Sequence, residues 1–243
     1  MQPAPPAPGQ PRPLTAWDLL AGTGKVWLRN VLPFTLVALV LDLPLAAIDL
    51  RGTPKALDPR QAVLLLFASW FVWLLTTAAL TFGVLWSQAG TRPRTLTMLA
   101  GAARQLWPVF TVGASYTALV MLGTFAMVLP GVFLLVAGYV AIPAAVAEPN
   151  LGIEAALRRT LALTSGHRLA LLAVVLVLGL GGYFGPWALW VLLQNTVTLP
   201  KPAELAIQVA ADAILSGFVC ACPAVAYLAL RARSGAPAPI VRG

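Results

Sequence analysis

Residues 129–168 read LPGVFLLVAGYVAIPAAVAEPNLGIEAALRRTLALTSGHR. An apolar run of membrane-helix length ends at Glu148-Pro149. A short basic segment with helical periodicity follows and closes at Gly166, and the next apolar run starts at Leu169. A spanning helix needs about 20 apolar residues at a rise of about 1.5 Å each. Two such runs joined by a basic amphipathic segment predict a polytopic helical membrane protein with an element near the membrane surface.

The rest of the chain agrees. Of its 243 residues, 59% are hydrophobic and only 10% charged. Soluble domains carry about 25% charged residues, so this composition does not cover a soluble surface. The predicted fold class is all-α: a bundle of transmembrane helices with interfacial amphipathic helices. Ten-residue strands alternating apolar and polar side chains, the mark of a membrane β-barrel, do not occur. The net charge is +8. The basic residues flank apolar runs, so the expected partners are anionic lipid headgroups rather than nucleic acid. Arginine outnumbers lysine, and Ala, Gly and Pro abound, which matches a GC-rich bacterial genome.

Six apolar runs qualify as spans: 31–48, 62–86, 109–129, 132–147, 169–193 and 205–230. One helix through the third and fourth would be about 60 Å long, twice the hydrocarbon thickness. A hairpin turn at Pro130-Gly131 is therefore expected. The fourth run is short, and a tilted or partly re-entrant element remains an alternative. Residues 1–14 are proline-rich, lack the apolar core of a secretory signal and read as a disordered tail. Residues 15–231 then form one membrane domain, and 232–243 a basic tail.

Basic residues orient such a protein. With six spans, one side holds Arg12, Lys25, Arg29, Arg92, Arg94, Arg104, Arg158, Arg159, Arg168, Arg231, Arg233 and Arg242, which is 12. The other holds Arg51, Lys55, Arg60 and Lys201, which is 4. The excess predicts a multi-pass protein of the cytoplasmic membrane with both termini in the cytoplasm.

Each odd-numbered span follows a short amphipathic segment on the basic side. In TAWDLLAGTGKVWLRN, Thr15 and Asp18 have capping-box spacing, and Trp17, Leu20, Trp27 and Leu28 share a face. In TLTMLAGAARQLW the face is Leu96, Leu99, Ala103 and Leu106; in GIEAALRRTLALTSGH it is Ile153, Leu157, Leu161 and Thr164. Glu154 and Arg158 are an i,i+4 pair. The first two segments share Leu-Ala-Gly with a basic residue three positions on: Leu20-Ala21-Gly22 with Lys25, and Leu99-Ala100-Gly101 with Arg104. The simplest architecture is three units, each an interfacial helix plus a membrane hairpin.

The chain resembles the glycerophosphoryl diester phosphodiesterase membrane-domain family at four places. These are Pro130-Gly131 leading into an apolar helix; Pro143 and Glu148 late in it; Ala156-Leu157-Arg158-Arg159-Thr160 closing at Gly166; and Tyr227 to Arg231 at the exit of the last helix. Thr160 stands where the family usually has serine. In the enzymes that gave the family its name, catalysis resides in a separate soluble barrel with histidines and metal-binding carboxylates. This chain has one histidine, His167. The resemblance therefore implies a membrane module and not a phosphodiesterase.

Candidate polar sites are few. Asp212 lies inside the sixth span and Asp42 late in the first, with Asp49 beyond. Intramembrane carboxylates are costly and often functional, and if the first two face each other they line an outward cavity. Glu148, Arg158 and Arg159 form the most specific cluster. It admits two readings: an arginine pair engaging lipid phosphates, or a Glu-Arg lock holding the interfacial helix. Asn150 is placed to cap that helix. His167 alone makes a poor metal site, and Cys220 and Cys222 lack the further ligands a soft metal needs. Gly179, Gly181, Gly182, Gly185 and Pro186 mark either an interrupted helix or close packing. Trp27, Trp86 and Trp107 suit an aromatic belt.

No cofactor or metal is expected, and no nucleophile–base pair or catalytic motif occurs. The chain is expected to be a non-enzymatic envelope or lipid-associated scaffold or accessory module. The alternative is a transporter or lipid-translocating protein using Asp212 and Asp42.

Overall fold

The computed structural model describes residues 14–50, 58–148, 151–196 and 200–236. These form α-helices throughout, with no strand among the described residues. The helices are α1 (Ala16–Arg29), α2 (Val31–Leu50), α3 (Pro59–Gln88), α4 (Thr95–Arg104), α5 (Leu106–Ala126), α6 (Val128–Ala137), α7 (Ala141–Ala147), α8 (Ile153–Thr164), α9 (Arg168–Thr196) and α10 (Lys201–Arg233). Four stretches are long and apolar enough to cross a membrane: α3, α5, α6 with α7, and Ala206–Arg233 of α10. Two further spans count when α1 with α2 and α8 with α9, bent by 90° and 100°, are taken together. The protein is an all-α, multi-pass membrane bundle. Arg12, Arg51, Lys55, Pro149, Asn150 and Arg242 lie outside the described residues, as does the side chain of Asp49.

The described helical bundle includes Leu14 at one end and Arg233 at the other. Leu14, assigned to the N-terminal tail, is 6% exposed and packs with Leu19, Tyr227 and Leu230. At the other end α10 continues through Arg233. The apolar side chain of Leu14 finds a place in the core, and the last turn of α10 ends in cations that suit a helix C-terminus.

The connectivity is cyclic. Each unit is a short helix and two spans: α1–α2–α3, α4–α5–α6/α7 and α8–α9–α10. Each short helix packs on the second span of the unit before it: α4 on α3, α8 on α7, and α1 on α10. Each first span packs on its own second span and on the previous one. Thus α2 touches α3 and α10, α5 touches α6/α7 and α3, and α9 touches α10 and α6. The second spans α3, α7 and α10 touch one another at the centre. Long-range bonds tie the basic end together. Asn30, at the α1–α2 corner, donates to Ser87 Oγ near the end of α3 at 3.0 Å, and Glu148 meets the end of α10.

The short helices form where expected but face the protein with different residues. α1 begins with the expected capping box: Asp18 N–H donates to Thr15 Oγ1 and Thr15 N–H to Asp18 Oδ2, both 3.1 Å. Its buried residues are Leu19 and Thr23, while Trp17 and Leu28 are exposed. In α4 the buried pair is Met98 and Ala102, and Leu96 is exposed. In α8 Ala156, Thr160, Leu163 and Thr164 are buried, and Ile153 and Leu161 face out. Small residues allow close approach to the neighbouring span. Large apolar ones gain as much from lipid tails as from protein, so hydrophobicity alone does not phase these helices. The α8 cap is Gly152 rather than Asn150, with no side-chain bond.

The α5–α6 hairpin turns at Met127, not at Pro130-Gly131. Met127 is extended, with φ −166° and ψ 148°, and Pro130 sits in the first turn of α6, where its missing N–H costs nothing. Gly131 lets α6 lie directly on Thr124, which a Cβ would strike.

The fourth apolar run is long enough to cross and has a break within it. α6 ends at Ala137, the backbone turns through Gly138-Tyr139-Val140, and α7 continues. Pro143 contributes to the break, since its ring clashes one turn back and it offers no N–H to Tyr139. The amide of Ala141 bonds Gly138 O instead of Ala137 O, and that of Tyr139 bonds Val136 O instead of Leu135 O. The two freed carbonyls are both capped. Tyr116 OH donates to Leu135 O at 2.7 Å and Thr164 Oγ1 to Ala137 O at 3.0 Å. In an apolar medium a broken helix persists only where neighbours supply such donors.

Candidate functional site

The polar side chains gather in two places. The first is built on Glu148, which ends α7. Its Oε1 accepts from Arg231 Nη1 at 2.5 Å and from Tyr227 OH at 2.7 Å, and Arg231 Nη1 also donates to Tyr227 OH at 2.5 Å. Tyr227 and Arg231 are one helical turn apart on α10 and so share a face. The Arg231 and Glu148 side chains are 11% and 23% exposed, so the pair is mostly removed from solvent. The cluster joins the ends of α7 and α10.

The expected arginine pair divides. Arg158 turns away from Glu148 and pairs with Glu154 at 2.5 Å, both side chains more than three-quarters exposed. Arg159 points Nε towards Glu148 at 3.8 Å, beyond hydrogen-bond reach. The closest cation on Glu148 is therefore Arg231. Its signal was present in the sequence as the Tyr227/Arg231 spacing. That spacing entered only through the resemblance, and Arg231 was otherwise counted as an interfacial anchor. The residues that carry the resemblance at Glu148 and at Tyr227–Arg231 thus meet in space.

The second place lies between α2 and α10. Asp42 and Asp212 come within electrostatic reach of each other. Both are half-buried, and neither has an ion-pair partner among the described residues. Asp212, Ser216 and Cys220 follow at i, i+4 and i+8 on one face of α10. Ser216 Oγ lies 3.9 Å from Cys220 Sγ. A line of polar groups therefore leads from the carboxylates towards the bundle centre.

At the centre is a cavity of about 200 Å³ lined by α3, α5, the α6–α7 break, α9 and α10. Thr77, Tyr116 and Tyr139 give it a few polar atoms among apolar walls that include Trp73, Ile142 and Val219. The buried hydroxyl of Tyr139 has no hydrogen-bond partner; the thiol of Cys222 lies beside it. The cavity reaches Gly179 but neither Asp42 nor Asp212 is part of its wall.

Other expectations resolve plainly. α9 runs unbroken from Arg168 to Thr196, and a Cβ on Gly179, Gly181 or Gly182 would meet nothing within 4 Å. These glycines neither interrupt the helix nor bring a neighbour close. Trp27 is part of the core, edge-on to Phe218 at 6.0 Å, whereas Trp107 is exposed as a belt residue should be. The cysteines are free and buried. No group of three or more potential metal ligands occurs among the described residues. Comparison of the chain with family models, curated proteins and solved structures gives no match.

Proposed function

We propose that the protein is a non-enzymatic module of the bacterial cytoplasmic membrane, an envelope- or lipid-associated scaffold or accessory protein with its basic end in the cytoplasm. The observation that carries this reading is a set of cations with no ion-pair partner among the described residues. Lys25, Arg29, Arg92, Arg94 and Arg104 cluster on and around α1 and α4, and none has an ion-pair partner among the described residues. Such cations near a bilayer are attracted by anionic headgroups, by about 1 kcal/mol each. The resemblance to the glycerophosphoryl diester phosphodiesterase membrane-domain family supports a membrane module by itself.

The orientation has a direct test. A cysteine at Arg60 should react with an impermeant maleimide added to intact cells, and one at Arg94 should react only after lysis; the reverse result overturns it. The role is tested by cross-linking in native membranes, co-purification and lipid mass spectrometry of the same sample. Enrichment of anionic lipid or recovery of a stable partner is expected. Recovery of neither removes the scaffold reading.

A second reading, transport or lipid translocation, rests on two half-buried carboxylates, Asp42 and Asp212, within electrostatic reach of each other. The central cavity counts against it, because its walls are mostly apolar and stop short of both carboxylates. Proton or cation flux in proteoliposomes that is abolished by Asp212→Asn would establish it.

A further inference from the structure

Of the two readings the sequence left for Arg158 and Arg159, the lipid-phosphate pair is the weaker, since both lean on glutamates. Three unneutralised arginines lie one unit earlier, on α4 and in the segment that leads into it. From Ala89 to Gln105 the chain holds Arg92, Arg94 and Arg104 and no carboxylate. None of the three is in an ion pair among the described residues.

Beside Arg104 is a second cavity of about 200 Å³, between the end of α3, the outer face of α4 and the start of α5. Arg104 and Gln105 form its polar rim, with Thr97 farther along α4; Phe82 and Trp86 form one wall and Ala100 and Gly101 another. The two rings lie 5.6 Å apart, tilted by 35°. Thr97 Oγ1 is spent on Arg94 O. Gln105 Oε1 is not: it is buried with no hydrogen-bond partner. Gly101 keeps the space open, since a Cβ there would press on the Phe82 ring at 3.0 Å.

These groups specify an occupant. An exposed guanidinium matches a phosphate diester bidentately. A buried lone acceptor is costly unless a donor reaches it, so the occupant should bring a hydroxyl close to its phosphate. Aromatic and small apolar walls at the end of a span suit glycerol carbons at headgroup depth. We propose that this corner is a binding site for the phosphoglycerol headgroup of an anionic phospholipid. Arg104 holds the phosphate, and Gln105 Oε1 accepts from a headgroup hydroxyl. The proposal rests on the lipid-associated reading above and gives it a place and a headgroup class.

The test uses the full chain in phosphatidylcholine nanodiscs containing phosphatidylglycerol or phosphatidic acid at equal mole fraction, with bound lipid counted by native mass spectrometry. Phosphatidylglycerol should be retained over phosphatidic acid, which carries phosphate without the hydroxyl. Arg104→Gln should lower retention about ten-fold, as expected for loss of a charge-assisted contact. Arg104→Lys should fall between, and Gln105→Leu should erase the preference between the two lipids while leaving phosphate binding. Arg158→Gln removes the same charge from α8 and should change retention less than two-fold. Soluble glycerol 3-phosphate should not compete; competition would identify a free-phosphate site instead. Equal losses for Arg104→Gln and Arg158→Gln overturn the site but leave the lipid-associated reading standing. Absence of anionic lipid from wild-type protein in both nanodiscs and native membranes overturns both. Gel filtration and circular dichroism identify any variant that fails to fold, and the Lys variant then carries the comparison.

Discussion

The short helices α4 and α8 hold equivalent places in the cycle, each laid on the second span of the preceding unit, yet their charges are used in opposite ways. Around α8 every nearby carboxylate is engaged: Glu154 with Arg158, and Glu148 with Arg231 and, at longer range, Arg159. From Ala89 to Gln105 there is no carboxylate, and the arginines there have no ion-pair partner among the described residues. The α8 side also ties down a broken span through Thr164, whereas α4 borders a cavity. In a repeated architecture a cation facing a carboxylate serves the fold, and the same cation without one is left for the bilayer. Charge counting along the sequence cannot separate these cases, because both kinds look alike as loop arginines.

The difference is tested most severely at Glu148. If the α8 side is the structural one, Glu148→Gln should remove the carboxylate charge that lies 2.5 Å from Arg231, a side chain 11% exposed. Removing one partner of a mostly buried pair costs about 3–5 kcal/mol. The expected result is a large drop in melting temperature in detergent, with anionic-lipid retention unchanged in whatever protein remains folded. Unchanged stability together with lost lipid would reverse the roles assigned to α8 and α4.

A smaller effect is expected at the break that α8 helps to cap. A Cβ at Gly138 would overlap the Tyr116 ring, and Tyr116 supplies the donor for Leu135 O. Gly138→Ala should therefore cost about 1–3 kcal/mol as an overpacked core. Tyr116→Phe removes only the hydroxyl and should cost about 0.6 kcal/mol, the usual size of a hydrogen bond in a membrane bundle. Should the two substitutions prove equally mild, the turn at Gly138 holds without the ring, and the capping argument fails.

These elements also mark how far the sequence could be followed. The helical class and four of the spans, six when each bent pair counts as one, were legible because length and hydropathy report directly on crossing a bilayer. The Thr15/Asp18 capping box was legible because it is local. The facing of the short helices was not. Leu96, Ile153 and Trp17 face out while Ala102, Ala156 and Thr23 turn inward beside Met98, Leu163 and Leu19, so hydrophobicity does not separate the two faces. The turn at Met127 was missed because Pro130-Gly131 is a strong turn signal that a helix N-terminus also accepts. Of the site, Asp42 and Asp212 were named from hydropathy, and their meeting depended on how α2 crosses α10. The Glu148 partner was misassigned because Arg158 and Arg159 are near in sequence, and Arg231 is near only in space. Gln105 left no signal, since an unpaired amide shows itself only when its surroundings are built.

The mildest prediction separates the two helices most sharply. Arg158 and Glu154 form a 2.5 Å pair, yet the side chains are 78% and 77% exposed. An exposed i,i+4 pair is worth about 0.3–0.5 kcal/mol, because solvent screening and side-chain entropy consume most of the Coulomb gain. Arg158→Gln should therefore move the melting temperature by no more than a degree or two, roughly what about 0.5 kcal/mol yields in a chain of this size. Adding salt should shrink even that difference, since exposed pairs are screened. An effect comparable with that of Glu148→Gln would mean that Arg158 reaches a buried partner. The division between a neutralised, structural α8 and an open, lipid-facing α4 would then lose its basis, because arginines in both helices would be committed to the fold.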